Sequence, residues 1–188
     1  MIRIVTLFIT AGSIILINYG TATADSPQPD GPPDKGNHSW CYASKFKQQA
    51  VADAAMTWLR NQTVVDTIYY SSCNDAIDVK WTEKSVPNAF GSAVCKYRTS
   101  LDRCDQYIVT LNMTTINASA HPASQRRKTA CHELGHTVGV RHYSGDNRPG
   151  SDTTHSCLRS GPVPTPDRSW HKRFGNHHRV SHINPWFA

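Results

Sequence analysis

At 188 residues, 38% of them hydrophobic, the chain is long enough for one domain with a sizeable core and too short for two of ordinary size. The net charge of +6 is scattered, its longest run being Arg126-Arg127-Lys128. No recognition motif accompanies that charge, so no nucleic-acid partner is expected.

In chain order, Met1-Ile2-Arg3 is a short basic start, residues 4–17 are mostly apolar, and Ala22-Thr23-Ala24 has the small-x-small pattern of a cleavage site. Together they predict a signal peptide over residues 1–24 and a secreted, extracellular protein. The apolar run is too short for a permanent membrane anchor, and no later segment is apolar enough to be one. Residues 25–40, with Pro, Asp and Gly and no apolar periodicity, predict a flexible leader, leaving 41–188 as one domain. Phe46, Val51, Ala54, Ala55, Trp58 and Leu59 recur at helical spacing and predict a helix over 44–60. β-Branched or aromatic runs predict strands over 64–70, 77–81, 93–97 and 107–111. A second long helix is expected over 124–138, after Pro122 and ending at Gly139. Residues 143–169 read as loop, and 174–183 as a short helix before Pro185. That order predicts an α+β sheet domain.

Six cysteines, Cys41, Cys73, Cys95, Cys104, Cys131 and Cys157, follow the expected cleavage site. No two are separated by only two residues, so a zinc ribbon is not expected. An even number in an exported chain reads as a disulfide set, with 15 pairings open. Short separation favours Cys95 with Cys104 across a hairpin. Cys131 and Cys157 flank the histidine motif described next and are placed to tie its two sides together, which leaves Cys41 with Cys73.

The chemistry concentrates in His132-Glu133-Leu134-Gly135-His136-Thr137-Val138-Gly139-Val140-Arg141-His142. On a helix, His132 and His136 project from one face one turn apart, within reach of one zinc ion. A straight helix would carry later residues away. Gly139 takes a left-handed conformation at little cost, ends the helix and lets His142 return as third ligand. Three protein ligands with one open position are a catalytic pattern, since zinc lowers the pKa of a bound water to about 7. Glu133, beside the first ligand, is the expected general base toward that water and then the acid toward the leaving amine.

The same eleven residues resemble the HExxHxxGxxH signature of the metzincin metallopeptidases, nearest the matrixin-like or small secreted bacterial branch. The resemblance implies a mixed twisted sheet with two long helices, an active-site cleft and a small C-terminal loop-plus-helix subdomain. It also implies one catalytic Zn2+ and an extended polypeptide substrate that adds to an edge strand of the sheet, with 107–111 and 93–97 as the two candidate edges. A monomeric secreted endopeptidase is the expected product. The family's methionine turn corresponds here to Ser156-Cys157-Leu158-Arg159-Ser160-Gly161, with Leu158 in the methionine position, a residue of similar volume that still supplies an apolar floor. Ser160 stands where some branches use a tyrosine ligand, and His142 differs from the aspartate of the snapalysins. The alternative is a catalytically weak relative that binds peptides or host proteins.

His171, His177, His178 and His182 make the C-terminal stretch histidine-rich. His178 and His182 are four apart, but no carboxylate or cysteine accompanies them, and a polar helix face with packing histidines is the favoured reading. His155 is expected to be an exposed loop histidine. Asn37, Asn61, Asn112 and Asn117 begin glycosylation sequons that matter only in a eukaryotic secretory pathway. Asp102 and Asp105 lack the pattern of a calcium loop.

Overall fold

A computed structural model of the chain describes residues 33, 36–100, 103–142, 155–166 and 168–188. The expected signal peptide, most of the leader, residues 143–154 and Asp102 lie outside the described residues. Five strands, β1 (His38–Tyr42), β2 (Thr67–Tyr69), β3 (Val79–Glu83), β4 (Gly91–Ser100) and β5 (Arg103–Leu111), form one sheet in the order β2-β1-β3-β5-β4. The pairs β1–β2, β1–β3 and β3–β5 are parallel and β4–β5 is antiparallel, so the sheet is mixed and the fold is α+β. Helix α1 (Gln49–Gln62) supplies the crossover that a parallel β1–β2 pair requires.

Val79 and Trp81 of β3 and Val109 and Leu111 of β5 alternate at period two and are fully buried. They share one core with Ala52, Ala55, Met56 and Leu59 of α1 and with Ala130 and Leu134 of α3 (Pro122–Thr137). Leu158, Phe174 and Ile183 close the same core. Each large apolar side chain buried this way contributes about 1.5–3 kcal/mol, which ties the helix carrying the histidine motif rigidly to the sheet.

Several expectations need correction. Residues 38–40, assigned to the leader, are the start of β1 in the interior of the sheet. The polar His38 and Ser39 hid this strand. Their hydrogen bonds are made inside, Ser39 N–H to the Asp78 carboxylate and His38 Nε2 to Thr137 Oγ1 at 2.8 Å. Helix α1 begins five residues later than expected, because Ala43 N–H still donates to Trp81 O beside the sheet and Phe46 fills the core from the loop. A short helix α2 (Met113–Asn117) follows β5, N-capped by Asn112. The Asn112 amide donates to Val86 O, Ala89 O and Thr115 Oγ1, so this sequon is buried and closed to a glycan.

At the C-terminus a 3-10 turn over Ser169–Lys172 precedes α4 (Asn176–His178), a π-helical turn over Arg179–Ile183 and α5 (Asn184–Phe187). The helical run therefore passes Pro185 instead of stopping before it. Pro185 stands at the start of α5, directly after the π-turn. Disulfides join Cys41 to Cys73, Cys95 to Cys104 and Cys131 to Cys157. Among the described residues, no helix is long and apolar enough to cross a membrane.

Candidate metal centre

Pro122 starts α3 at a position where no N–H is needed, and the helix ends at Thr137. Gly139 has φ +83°. Its N–H donates to His136 O at 3.1 Å, and Val140 N–H reaches back to Gly135 O at 3.1 Å, the paired bonds of a Schellman ending. A side chain at position 139 would strain that left-handed turn. The chain then reverses, so that Val140 O accepts a bond from His136 Nδ1 at 2.7 Å and His142 faces the helix it has just left.

One ligand nitrogen from each of His132, His136 and His142 lies within 4.8 Å of the other two. His132 Nε2 and His142 Nε2 are 2.8 Å apart. His132 Nδ1 meets Cys157 O at 2.9 Å. A carbonyl only accepts, so Nδ1 of both His132 and His136 carries the proton, and their Nε2 lone pairs face the cluster. Burial holds both imidazoles below their usual range, His136 at about 4, so both are neutral near pH 7. Neutral, oriented imidazoles with a common focus are the donor set zinc takes, and the residues fit that ion. Tetrahedral bonds of about 2.0–2.1 Å would set nitrogens roughly 3.3 Å apart, against 2.8 Å between His132 Nε2 and His142 Nε2.

Helix α3 is buried on nearly every side although it carries Gln125, Lys128, His132, Glu133 and His136. Burying such groups is costly, and their concentration on one helix makes this the candidate site of the molecule. Glu133 is 7% exposed. Desolvation pushes its carboxyl up to about 8, against the pull of the Lys128 ammonium. Glu133 and the three histidines line a cleft of about 870 Å³, whose other walls include Phe90 to Ala93 and Ser160 to Pro162. The close approach of β4 to α3 depends on Gly91. A Cβ there would stand 2.7 Å from Thr110 O, 2.8 Å from Thr129 Cγ2 and 3.0 Å from Glu133 Cγ. Of the two candidate edges, 107–111 is corrected: β5 is paired on both sides, whereas β4 lies at the border of the sheet beside the cleft.

Leu158 is fully buried against α3 beneath the cluster; a Cβ on Gly135 would lie 2.9 Å from its Cδ2. Ser160 Oγ stands 3.4 Å from His142 Nδ1, a long contact. Lys128 Nζ donates to Gly161 O at 3.0 Å, and Gln125 Oε1 accepts from Val163 N–H at 2.8 Å, so two side chains of α3 hold the far wall. Sequence reasoning missed Lys128, Gln125, Gly91 and the carbonyls of Val140 and Cys157. The glycine at the start of a strand was the one available signal, since such a residue marks close backbone approach. Backbone carbonyls leave no trace in side-chain identity.

His155 is corrected: it is buried, receives a bond from Arg159 Nη1 at 3.2 Å and packs against Trp170. His171 and His178 are fully buried, whereas His177 and His182 lie half-buried on the C-terminal helix.

No family model and no curated protein matches the sequence. Among solved structures the chain is similar to that of myroilysin, at 14% identity and a TM-score of 0.36, over 70% of this chain and 56% of that one. The chain thus spans little more than half the length of that structure.

Proposed function

We propose that the chain is a secreted zinc-dependent endopeptidase of metzincin type that cleaves extended polypeptides. The observation that carries this reading is the buried Glu133 carboxyl, set beside three convergent imidazoles and open to a cleft bordered by an edge strand. His132, His136 and His142 would hold one zinc ion. When bound, that ion supplies Lewis acidity, which acidifies water and polarises a carbonyl.

The remaining work falls to the chain itself. Strand β4, at the border of the sheet among the described residues, offers backbone N–H and C=O groups to an extended peptide, fixing the scissile bond over the cleft by strand addition. Glu133, which a divalent cation held by the three histidines would keep ionised, takes a proton from the water whose oxygen attacks the carbonyl carbon, and returns it to the amine nitrogen as the C–N bond breaks. The carbonyls of Cys157 and Val140 hold His132 and His136 in the one tautomer whose Nε2 carries the lone pair. The small-residue cleavage pattern and three disulfides support action outside the cytosol.

Cleavage of unfolded casein by the oxidised chain from Asp25 onward, with and without a zinc chelator and beside Glu133→Gln, tests the reading. Chelator-sensitive cleavage that disappears in a variant still holding one zinc is expected. Stoichiometric zinc without cleavage across a broad substrate panel would leave the peptide-binding alternative in its place.

A further inference from the structure

We infer that His177 and His182 form a second metal site, for a borderline divalent transition ion such as Cu2+ or Zn2+, assembled by the π-turn of the C-terminal helix. Their Nε2 atoms are 3.3 Å apart, with ring centroids 5.0 Å apart and planes at 72°. Two imidazole nitrogens bound to one ion at about 2.0–2.1 Å with tetrahedral angles lie roughly 3.3 Å apart. The pair already stands at chelating distance.

The backbone explains how. Five residues advance a regular α-helix by roughly 500°, which leaves the two side chains about 140° apart around the axis. Between His177 and His182 the helix widens into the π-turn over Arg179–Ile183. Closing a turn with i→i+5 bonds returns residue i+5 close to the direction of residue i. The register that faces one ring toward the other is thus 177/182, not the 178/182 spacing an α-helix favours. His178 points inward instead, fully buried against Gly175, where a Cβ would meet its Cδ2 at 3.5 Å. π-Turns are uncommon and frequently lie at functional sites, and this one brings the two rings together.

The surroundings suit an exchangeable ion. Both rings are half-buried, which shields one side of an ion and leaves its other positions to water or to a third donor. The cation between them is turned away, Arg179 bonding to Asn176 Oδ1 and Gln62 O. Among the described residues the one group of three or more ligand side chains is the His132–His136–His142 centre, so this is a separate, two-ligand and weaker site. Nitrogen donors without carboxylate select Cu2+, Ni2+ and Zn2+ over Mg2+ or Ca2+.

The test is titration of the zinc-loaded chain from Asp25 onward with Cu2+, the tightest binder of the series. Paramagnetic resonance reads the nitrogen ligands, and mass spectrometry reads the retained zinc. One further equivalent of Cu2+ with two-nitrogen coordination is expected while the first zinc stays. His177→Ala and His182→Ala each weaken it by about tenfold or more, with the first zinc and the circular dichroism unchanged. If an alanine variant misfolds, His177→Gln and His182→Gln keep the polar volume and take its place. Absence of a second equivalent means the two rings only share a hydrogen bond, and persistence of that equivalent in both single variants places it elsewhere; either result overturns the assignment. The site does not rest on the peptidase reading, since a chain inactive on casein still binds the second ion.

Discussion

His132 and Cys157 are tied together twice. The imidazole Nδ1–H donates to the Cys157 carbonyl at 2.9 Å, and the neighbour of His132, Cys131, is disulfide-bonded to Cys157. The covalent link clamps the segment whose backbone fixes the ring. In a Cys131→Ser/Cys157→Ser double variant, loss of this 26-residue link costs roughly 3 kcal/mol in a denaturant titration. Zinc affinity falls by about 10-fold or more, as for loss of an orienting partner. Unchanged zinc affinity in a folded double variant would show that the carbonyl holds its place without the clamp.

Gly135 leaves room for Leu158. A Cβ at 135 would stand 2.9 Å and 3.1 Å from the two Leu158 methyls and 3.3 Å from Phe174 Cε1. Gly135→Ala overpacks the junction and destabilises by about 1–3 kcal/mol. Combined with Leu158→Ala, it costs less than the sum of the two, because the smaller side chain makes the space. Additive unfolding energies would show that the two positions do not compete.

Leu158→Met tests what the departure from the methionine turn means. The exchange nearly conserves volume, and methionine adapts to irregular space. Stability changes by less than about 1.5 kcal/mol, and zinc content and cleavage by less than about twofold. A large gain in cleavage would instead identify Leu158 as the cause of a weakened enzyme.

Metal-free protein loses stability as pH rises from about 7.5 to 8.5. Burial raises the folded-state value of Glu133 from 4.5 to about 8, so the unfolded chain ionises first and rising pH favours it across that window. His132 and His136 have lowered values and act in the opposite sense, costing stability as pH falls below about 7.5, where the unfolded imidazoles begin to take up protons. Above about 7.5 the Glu133 slope stands alone among these three groups. Urea midpoints in chelator at pH 7.5, 8 and 8.5 read it. Glu133→Gln flattens the trend, and an identical slope in that variant would assign the effect to another group.

Much of the architecture was legible from local pattern. The helix that became α3 announced itself through Pro122, Gly139 and the four-residue histidine spacing, all features of a single turn or its ends. The strand His38–Tyr42 was not legible, because its polar residues find their partners on Asp78 and Thr137, far along the chain. The start of α1 was misplaced for a similar reason, Ala43 being held by Trp81 O across the sheet.

The amino-acid sequence by itself determined that two imidazoles and a carboxyl share one helix and that a glycine lets a third imidazole return, since helical periodicity and backbone freedom are local properties. It left open which strand borders the cleft, which carbonyls hold the imidazole tautomers, and which of the C-terminal histidines meet. Those are decided by long-range strand order, by backbone atoms common to every residue, and by a π-turn that shifts register from four residues to five. Such relations exist only once distant parts of the chain have packed together.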